Sequence, residues 1–180
     1  MPDLHTDRLL LLRWRVSDRG PFARLNADPR VMEYFPAALM PAESDTMIGR
    51  IEAHFERYGY GLWALELRDT GEFIGFTGLN VPTFKTHFTP CVEIGWRLAF
   101  DHWGRGLATE AARSVLHHAF ATLGLKEVVS FTAAVNLRSR CVMEKLGMTH
   151  NPSDDFDHPR LPAGHPLLRH VLYRLRASSL

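Results

Sequence analysis

The sequence has little of what defines several classes of protein. It holds only two cysteines, Cys91 and Cys141, so no disulfide framework is expected. Its formal net charge is +1, without the large basic excess of a dedicated nucleic-acid binder. No apolar run approaches the ~20 residues that span a bilayer, and the first residues lack the pattern of a secretory signal. We therefore expect a cytoplasmic protein with no nucleic-acid partner and no membrane partner.

Two phosphate-binding signatures are also missing. The chain has no Gly-x-x-x-x-Gly-Lys-Ser/Thr run, which argues against a kinase or NTPase of the P-loop type. It also lacks three spaced glycines at the start of a βαβ unit, the signature of a dinucleotide-binding fold. The histidines show no paired metal-ligand spacing, because the adjacent His117 and His118 point to different faces of a helix. We therefore expect no metal.

What the sequence does contain is an alternation of strand-like and helix-like segments. Apolar stripes with capping signals predict helices, and runs rich in Val, Phe and Leu predict strands. The predicted strands are residues 8–13, 62–67, 73–79, 92–98, 127–135 and 170–175, and the predicted helices are residues 18–26, 29–35, 41–54, 107–123 and 136–146. A polar stretch, residues 149–169, is predicted to be a loop; we call it the acidic loop. The pattern predicts a mixed α/β sheet with packed helices, as a single domain over residues 1–180.

The most informative segment is Trp103-Gly104-Arg105-Gly106-Leu107-Ala108-Thr109-Glu110, between an apolar strand and an amphipathic helix. Its two glycines allow the main chain to approach a ligand closely. The start of the following helix offers unpaired N–H groups and the positive end of the helix dipole, which suit a phosphate. The segment, residues 103–110, therefore predicts a main-chain binding site for a pyrophosphate, which we call the phosphate cup.

Three segments in this order resemble the GNAT superfamily of N-acetyltransferases: residues 93–98 (Glu-Ile-Gly-Trp-Arg-Leu), the phosphate cup, and residues 136–148. The likeness is strongest to the RimJ/RimL-like branch, the ribosomal-protein N-terminal acetyltransferases, and it extends to residues 6–11 and 166–173. The resemblance implies acetyl-CoA as the donor and a primary amine as the acceptor. It also implies a GNAT-like, strongly twisted mixed sheet of six to seven strands, splayed at the central strand near Gly95, with helices on both faces.

The resemblance also implies which residues hold acetyl-CoA. The main chain from Arg105 to Glu110 would bind the pyrophosphate, the strand that ends at Leu98 would pair with the pantetheine, and Asn136 would hydrogen-bond it. The full predicted set is Ile94, Trp96, Leu98, Trp103, Gly104, Arg105, Gly106, Leu107, Ala108, Thr109, Glu110, Asn136 and Ser139. Trp103 departs from the family pattern, in which Gln or Arg is frequent, and both Trp96 and Trp103 also fit a packing role.

Acetyl transfer to an amine needs a base, a polarised thioester carbonyl and a proton for the departing thiolate. Glu93 is the candidate base, acting directly or through a water, and strand alternation places it on the same face as Gly95 and Arg97. A main-chain N–H beside Gly95 would polarise the thioester oxygen. Many members have a tyrosine acid where this chain has Met143, so Ser139 or a water it holds is the candidate acid. A Glu93–Arg97 surface pair and a Ser139 that bonds only to its helix are the structural alternatives.

The acceptor is the least defined part of the prediction. Protein N-terminal amines follow from the resemblance; a small-molecule amine, such as an aminoglycoside, polyamine or amino acid, and a non-catalytic acyl-CoA sensor are the alternatives. The acidic loop could attract a cationic amine, and residues 32–35 could line an acceptor groove or belong to the core; the residues concerned are Asp154, Asp155, Asp157, Met32, Tyr34 and Phe35. Cys141 is expected to fill space rather than to act as a nucleophile. A monomer and a homodimer are both compatible with the sequence.

Overall fold

The computed structural model describes residues 3–179, which form four α-helices and nine β-strands. The helices are α1 (Arg19–Ala27), α2 (Pro41–Tyr58), α3 (Leu107–His117) and α4 (Leu137–Lys145). The strands are β1 (Leu4–His5), β2 (Leu9–Leu12), β3 (Leu62–Leu67), β4 (Phe73–Asn80), β5 (Glu93–Leu98), β6 (Glu127–Ala133), β7 (Thr149–His150), β8 (Phe156–Asp157) and β9 (Arg169–Arg176). The predicted mixed α/β class is confirmed.

The chain divides into two compact units, and the described part of the first comprises residues 3–80 and 95–115. In this unit β1 pairs with β2, β2 with β3 and β3 with β4, all antiparallel. The N–H of Ala99 donates to the carbonyl of Ile74 at 2.8 Å, which joins the end of β5 to β4. Gly75 in β4 has φ +143°, and a Cβ there would lie 2.1 Å from the carbonyl oxygen of Arg97. A glycine is therefore required where these two main chains meet.

The core of the first unit lies where α1 and α2 pack against the sheet, and it consists of Phe22, Leu25, Val31, Met32, Ile48 and Phe76. The helix predicted after Asp28 is wrong, because residues 28–37 form successive turns. The N–H of Met32 donates to the carbonyl of Asp28 at 3.0 Å, but this single helical turn is not continued. Val31 and Met32 are each 5% exposed, so burial of these side chains, rather than helix propensity, sets the path of the chain.

The described part of the second unit comprises residues 81–94 and 116–179. β6 and β9 pair antiparallel along their length, and both β7 and β8 add to β9. Glu93, at the start of β5, pairs in parallel with Val129 of β6. The core of this unit contains Phe88, Val129, Phe156 and Leu172. The acidic loop was predicted to lack secondary structure, but pairing with β9 makes two short strands of it.

Nine strands are described, against the six to seven predicted, because β1, β7 and β8 have only two residues each. Such short strands carry no alternation that a sequence pattern could reveal. The prediction of one domain over residues 1–180 stays a prediction. Among residues 3–179, none of the helices combines the length and the apolar character needed to cross a bilayer.

Candidate active site

The phosphate cup is formed by two glycines and the start of α3. Gly104 and Gly106 have φ values of +73° and +77°, in the left-handed region that other residues enter at a cost of roughly 1–2 kcal/mol. The first hydrogen bond of the helix runs from the N–H of Glu110 to the carbonyl of Gly106, at 3.0 Å. The N–H groups that precede this bond have no carbonyl one turn back in the helix; they belong to Leu107, Ala108 and Thr109. A bound anion would satisfy them.

The buried face of α3 holds these donors in place. Leu107, Ala111, Ala112 and Val115 are at most 1% exposed, so the helix is anchored from its first residue. Ala108 and Thr109 are only partly buried. The main-chain donors therefore stand on a fixed support, which reduces the entropy lost when a ligand binds.

The carboxylate of Glu110 binds the N-terminal segment beside the cup and is therefore not expected to contact a ligand. It accepts hydrogen bonds from the Thr6 hydroxyl at 2.6 Å, the Arg8 main-chain N–H at 3.0 Å and the Arg8 Nε at 2.6 Å. Its partial burial would raise its pKa, but the hydrogen bonds from Thr6 and Arg8 outweigh that effect and lower the pKa. Because the charge of Glu110 is paired with Arg8, it does not repel a phosphate at the cup.

Two arginines flank the cup. Arg8 Nη1 donates to the carbonyl of Arg105 at 3.0 Å, and a Cβ on Gly106 would lie 3.7 Å from Arg8 Nη2. Arg105 Nη1 donates to His102 Nδ1 at 3.2 Å, and His102 Nε2 lies 3.3 Å from a carboxylate oxygen of Glu72. This chain of contacts is consistent with the His102 proton on Nε2. Arg105 is within the predicted set, whereas Arg8 is not, because it is remote from the cup in the chain.

Trp103 joins the cup to the end of β5. Its indole Nε1 donates to the carbonyl of Leu98 at 2.8 Å, and its ring lies 5.0 Å from that of Phe100. The side chain also packs against the core of the first unit. Trp103 therefore has the packing role, while the carbonyl of Leu98 keeps a second lone pair for another donor. Trp96 is half-buried.

The main chain around Gly95 is held by hydroxyl groups. In the first unit the Thr77 hydroxyl donates to the carbonyl of Gly95 at 2.9 Å. In the second unit the Ser130 hydroxyl donates to the carbonyl of Ile94, also at 2.9 Å, and the Ile94 side chain is fully buried. A Cβ built on Gly95 meets no heavy atom within 4 Å. Packing does not require this glycine, so the space beside it is open to a ligand.

In the second unit, Asn136 caps α4 as predicted. Its Oδ1 accepts the N–H of Ser139 at 3.2 Å, and its Nδ2 donates to the Thr132 hydroxyl at 3.0 Å. The hydroxyl of the half-buried Ser139 makes no hydrogen bond within residues 3–179, so it is available for another partner. Met143 is fully buried, as expected of a side chain without an acid role.

Glu93 and Cys91 lie close together at the start of β5. Glu93 is half-buried, and burial together with the charge of Glu93 raises the pKa of the Cys91 thiol to about 11. Cys91 is therefore a thiol at neutral pH and a poor nucleophile. Cys141 is exposed on α4 rather than filling space in the core.

The carboxylates of the acidic loop already have basic side chains as partners. Asp154 lies 2.8 Å from Arg174, Asp155 lies 2.7 Å from His150, and Asp157 lies 3.3 Å from Arg169. Each loop charge therefore has a partner within the second unit. This pairing weakens the hypothesis that the loop attracts a cationic amine.

For Arg97 the sequence predicts only a surface pair with Glu93, whereas the structure buries its side chain. The residue is 9% exposed, and its Nη1 donates to Asn26 Oδ1 at 2.6 Å. Its Cζ lies 4.0 Å from the centre of the Phe35 ring, which is 37% exposed. Of the predicted groove residues, Met32 belongs to the core and Phe35 lies at the surface over Arg97. No sequence signal distinguishes a buried arginine from a surface one on an alternating strand.

The main-chain donors of the phosphate cup would suit the pyrophosphate of a coenzyme. Comparison with known proteins specifies the coenzyme's class: residues 8–149 match the model of the GNAT acetyltransferase domain. The chain belongs to this family. The resemblance to the GNAT superfamily is confirmed, and N-acetyltransferase as enzyme class and acetyl-CoA as donor are confirmed at the level of the family.

Two curated relatives are about one third identical to the chain. One is the FsC-acetyl coenzyme A-N(2)-transacetylase of Aspergillus fumigatus, 34% identical over 160 residues; the match covers 83% of this chain and 66% of that protein, just under two thirds. The other is the uncharacterized protein YkkB of Bacillus subtilis, 33% identical over 149 residues, with 82% of this chain and 86% of that protein covered.

Solved structures agree with the family assignment. An acetyltransferase of Agrobacterium tumefaciens superposes with a TM-score of 0.78 and 30% identity, covering 98% of this chain and 95% of that one. RimL, a ribosomal L7/L12 α-N-protein acetyltransferase in complex with coenzyme A, also gives a TM-score of 0.78, covering 97% and 98% of the two chains. At 13% identity, this superposition shows only that the two chains share a fold.

Proposed function

We propose that the chain transfers an acetyl group from acetyl-CoA directly to a primary amine in a ternary complex. The observation that carries the proposal is the phosphate cup. Two glycines in the left-handed region precede a buried helix whose first N–H groups lack intrahelical partners. Arg105 adds positive charge to this loop, and the ion pair of Arg8 with Glu110 offsets the carboxylate charge beside these donors. Such a site suits the pyrophosphate of coenzyme A.

Within the predicted set, the residues divide by role. The N–H groups of Leu107, Ala108 and Thr109 bind the pyrophosphate, whereas the N–H of Glu110 is engaged with Gly106 and its carboxylate holds Arg8. The main chain of β5, from Ile94 to Leu98, pairs with the pantetheine. Trp96 and Trp103 shape the strand end and the cup by packing. Gly104, Arg105 and Gly106 set the path of the loop, and Asn136 and Ser139 offer polar groups at the start of α4.

The proposed reaction forms one bond and breaks one. The amine nitrogen, after losing a proton to Glu93 directly or through a water, attacks the thioester carbonyl carbon. A main-chain N–H beside Gly95 stabilises the negative charge that develops on the carbonyl oxygen. The C–S bond then breaks, and the thiolate takes a proton from Ser139 or a water that it holds. The second proton of the attacking nitrogen passes to this donor and restores it, while the proton on Glu93 is released to solvent. The products are an N-acetylated amine, free CoA thiol and one released proton.

For the acceptor we propose a small-molecule primary amine, with a protein N-terminal amine as the alternative. The relative that is 34% identical is named for FsC and an N(2) position, whereas the ribosomal-protein enzyme RimL is 13% identical. The finer RimJ/RimL-like assignment therefore has less support than the family itself. A cytoplasmic location is proposed on the ground that both cysteines are free, which suits a reducing compartment.

The test combines a thiol-release assay with calorimetry. Purified protein and acetyl-CoA are screened against N-terminal peptides and small amines in parallel, and Glu93→Gln serves as the variant. We expect turnover with at least one small amine, a fall in kcat of about 100-fold or more in Glu93→Gln, and unchanged CoA affinity. CoA binding without release of thiol from any acceptor would instead identify an acyl-CoA sensor. Absence of CoA binding would contradict the proposal altogether.

A further inference from the structure

The first unit contains a buried cation that the proposed reaction does not use. Arg97 is 9% exposed, and none of the carboxylates in residues 3–179 forms an ion pair with it. Burial alone lowers the pKa of its guanidinium to about 10, with no acidic group to offset it. An ion buried without a counter-charge destabilises a fold relative to one that is paired. Such a group is expected either to stabilise the fold through other contacts or to form an ion pair with a ligand.

The neighbours of the guanidinium are polar but uncharged. Nη1 donates to Asn26 Oδ1 at 2.6 Å, and Asn26 Nδ2 donates to the Ser44 hydroxyl at 3.0 Å; Asn26 and Ser44 are fully buried. The Nε of Arg97 is buried and has no hydrogen-bond partner among the described residues. Its Nη2 makes no hydrogen bond with them either. The Nε and Nη2 edge, which Asn26 leaves unused, is one of the edges on which arginine binds a carboxylate with two parallel hydrogen bonds.

A partly exposed aromatic ring lies over this guanidinium. Phe35 lies in the turns between α1 and α2, is 37% exposed, and stacks at 4.0 Å over Arg97 Cζ. The ring of Phe76 lies on the interior side, at 5.4 Å. Two aromatic rings this near the guanidinium reduce its contact with water, so a charge pair formed there is stronger than one at the surface. We call Arg97, Asn26, Phe35 and Phe76 the guanidinium site.

The guanidinium site lies on the strand face that the proposed reaction uses. Gly95 and Arg97 are alternate residues of β5, so they belong to the same face, with Cα atoms about 6.6 Å apart by strand geometry. The thioester oxygen is proposed to bind beside Gly95. If the carboxylate of an acceptor binds at Arg97, a short aliphatic chain is long enough to bring its amine to the thioester carbonyl.

We propose that the guanidinium site binds the carboxylate of the acceptor, so that the preferred acceptors are small amino acids that carry a primary amine and a carboxylate. This inference rests on the proposed acetyl transfer for its substrate class, but the binding of a carboxylate at Arg97 is testable without turnover. The ligand supplies the counter-charge that the fold omits. Asn26 positions the guanidinium, and Phe35 covers the bound carboxylate.

The test compares probes that differ only in the carboxylate. Amines of increasing length, from glycine to 5-aminovalerate, are paired with neutral counterparts such as pentylamine, and O-phosphoethanolamine tests for a phosphate instead. We expect kcat/KM for the best amino acid to exceed that of its counterpart by about tenfold or more, which corresponds to about 1.4 kcal/mol. A ratio near one, with turnover present, overturns the inference and leaves the proposed function intact. A higher value for the phosphate probe overturns the carboxylate assignment.

Two variants separate binding from structure. Asn26→Asp is nearly isosteric and supplies an internal counter-charge, so it should raise the melting temperature and reduce the kcat/KM ratio to about two or less. If the melting temperature rises and the ratio is unchanged, the guanidinium is structural and the inference is wrong. Arg97→Lys keeps the charge but loses the planar fork, so an intermediate ratio is expected. Reduced CoA affinity in Asn26→Asp would assign the anion to the donor and overturn the proposal.

A spectroscopic measurement removes the dependence on turnover. The ¹⁵Nε signal of Arg97, assigned by its loss in Arg97→Lys, is followed in the CoA-bound protein during titration with 5-aminovalerate and with pentylamine. A shift with 5-aminovalerate alone supports carboxylate binding even if no acetyl transfer is detected, in which case only the proposed function fails. Equal responses to the two probes, or no response to either, contradict the inference.

Discussion

The phosphate cup and the acidic loop both stand out in the sequence as ligand sites, but the structure treats them differently. In the cup, the N–H groups of Leu107 to Thr109 precede the first helical hydrogen bond, so α3 cannot satisfy them. In the acidic loop, Asp154, Asp155 and Asp157 each pair with a basic side chain of the second unit. The N–H groups at the start of a helix have no hydrogen-bond partner within that helix, whereas flexible charged side chains usually form ion pairs within the protein.

The largest expected effect is on the cup itself. Gly106→Ala places a Cβ at a φ of +77°, which costs roughly 1–2 kcal/mol or forces the loop to change path. We expect CoA affinity, measured by calorimetry, to fall about tenfold or more. Gly49→Ala is the matched control, because Gly49 lies in α2 with no atom near the added Cβ, and it should stabilise the protein by about 0.5–1 kcal/mol. Equal CoA affinity in the two variants would contradict the main-chain model.

The next prediction concerns two glycines with opposite surroundings. A methyl group at Gly95 meets open space, whereas at Gly75 it lies 2.1 Å from the carbonyl of Arg97. Gly95→Ala should keep the melting temperature within about 2 °C, a shift well under 1 kcal/mol, while kcat/KM falls several-fold. Gly75→Ala should yield little folded protein. Thermal melts and thiol release measure both; unchanged kinetics in Gly95→Ala would show that no ligand approaches this point of β5.

A smaller effect is expected from the charges around the cup. Arg8→Met leaves the carboxylate of Glu110 without its main partner, so a negative charge then faces the pyrophosphate. We expect CoA affinity to fall several-fold at low salt and less at high salt, because exposed charges are screened. The double variant Arg8→Met/Glu110→Gln should recover most of the loss. If the double variant is as weak as the single one, Arg8 contacts the coenzyme directly.

The same contrast explains what the sequence could predict. Glycines, capping residues and an apolar stripe act through neighbours in the sequence. The cup, α3, α4 and the Asn136 cap could therefore be predicted from the local sequence. The two-residue strands and the turns at Val31 depend on partners distant in the chain, so local patterns miss them. Arg97 is the clearest case, because alternation places it on a face but cannot reveal that the face is buried. The charges of the acidic loop were visible, but their partners were not.

The smallest expected effect is on the acidic loop. Asp154→Asn, Asp155→Asn and Asp157→Asn should each change KM for a cationic amine by less than about twofold and lower stability by at most about 1 kcal/mol, as for other partly exposed ion pairs. The Arg174 guanidinium holds the pKa of Asp154 below its usual value of 3.8, so this pair stabilises the fold above that pH and is lost as the pH falls further. Melting temperatures between pH 6 and pH 3 should therefore fall less in Asp154→Asn than in the unaltered chain. A large rise in KM for the cationic amine in any of these variants would show that the acidic loop binds the acceptor. Paired side chains would then serve as a ligand site just as the unpaired main-chain donors of the cup do.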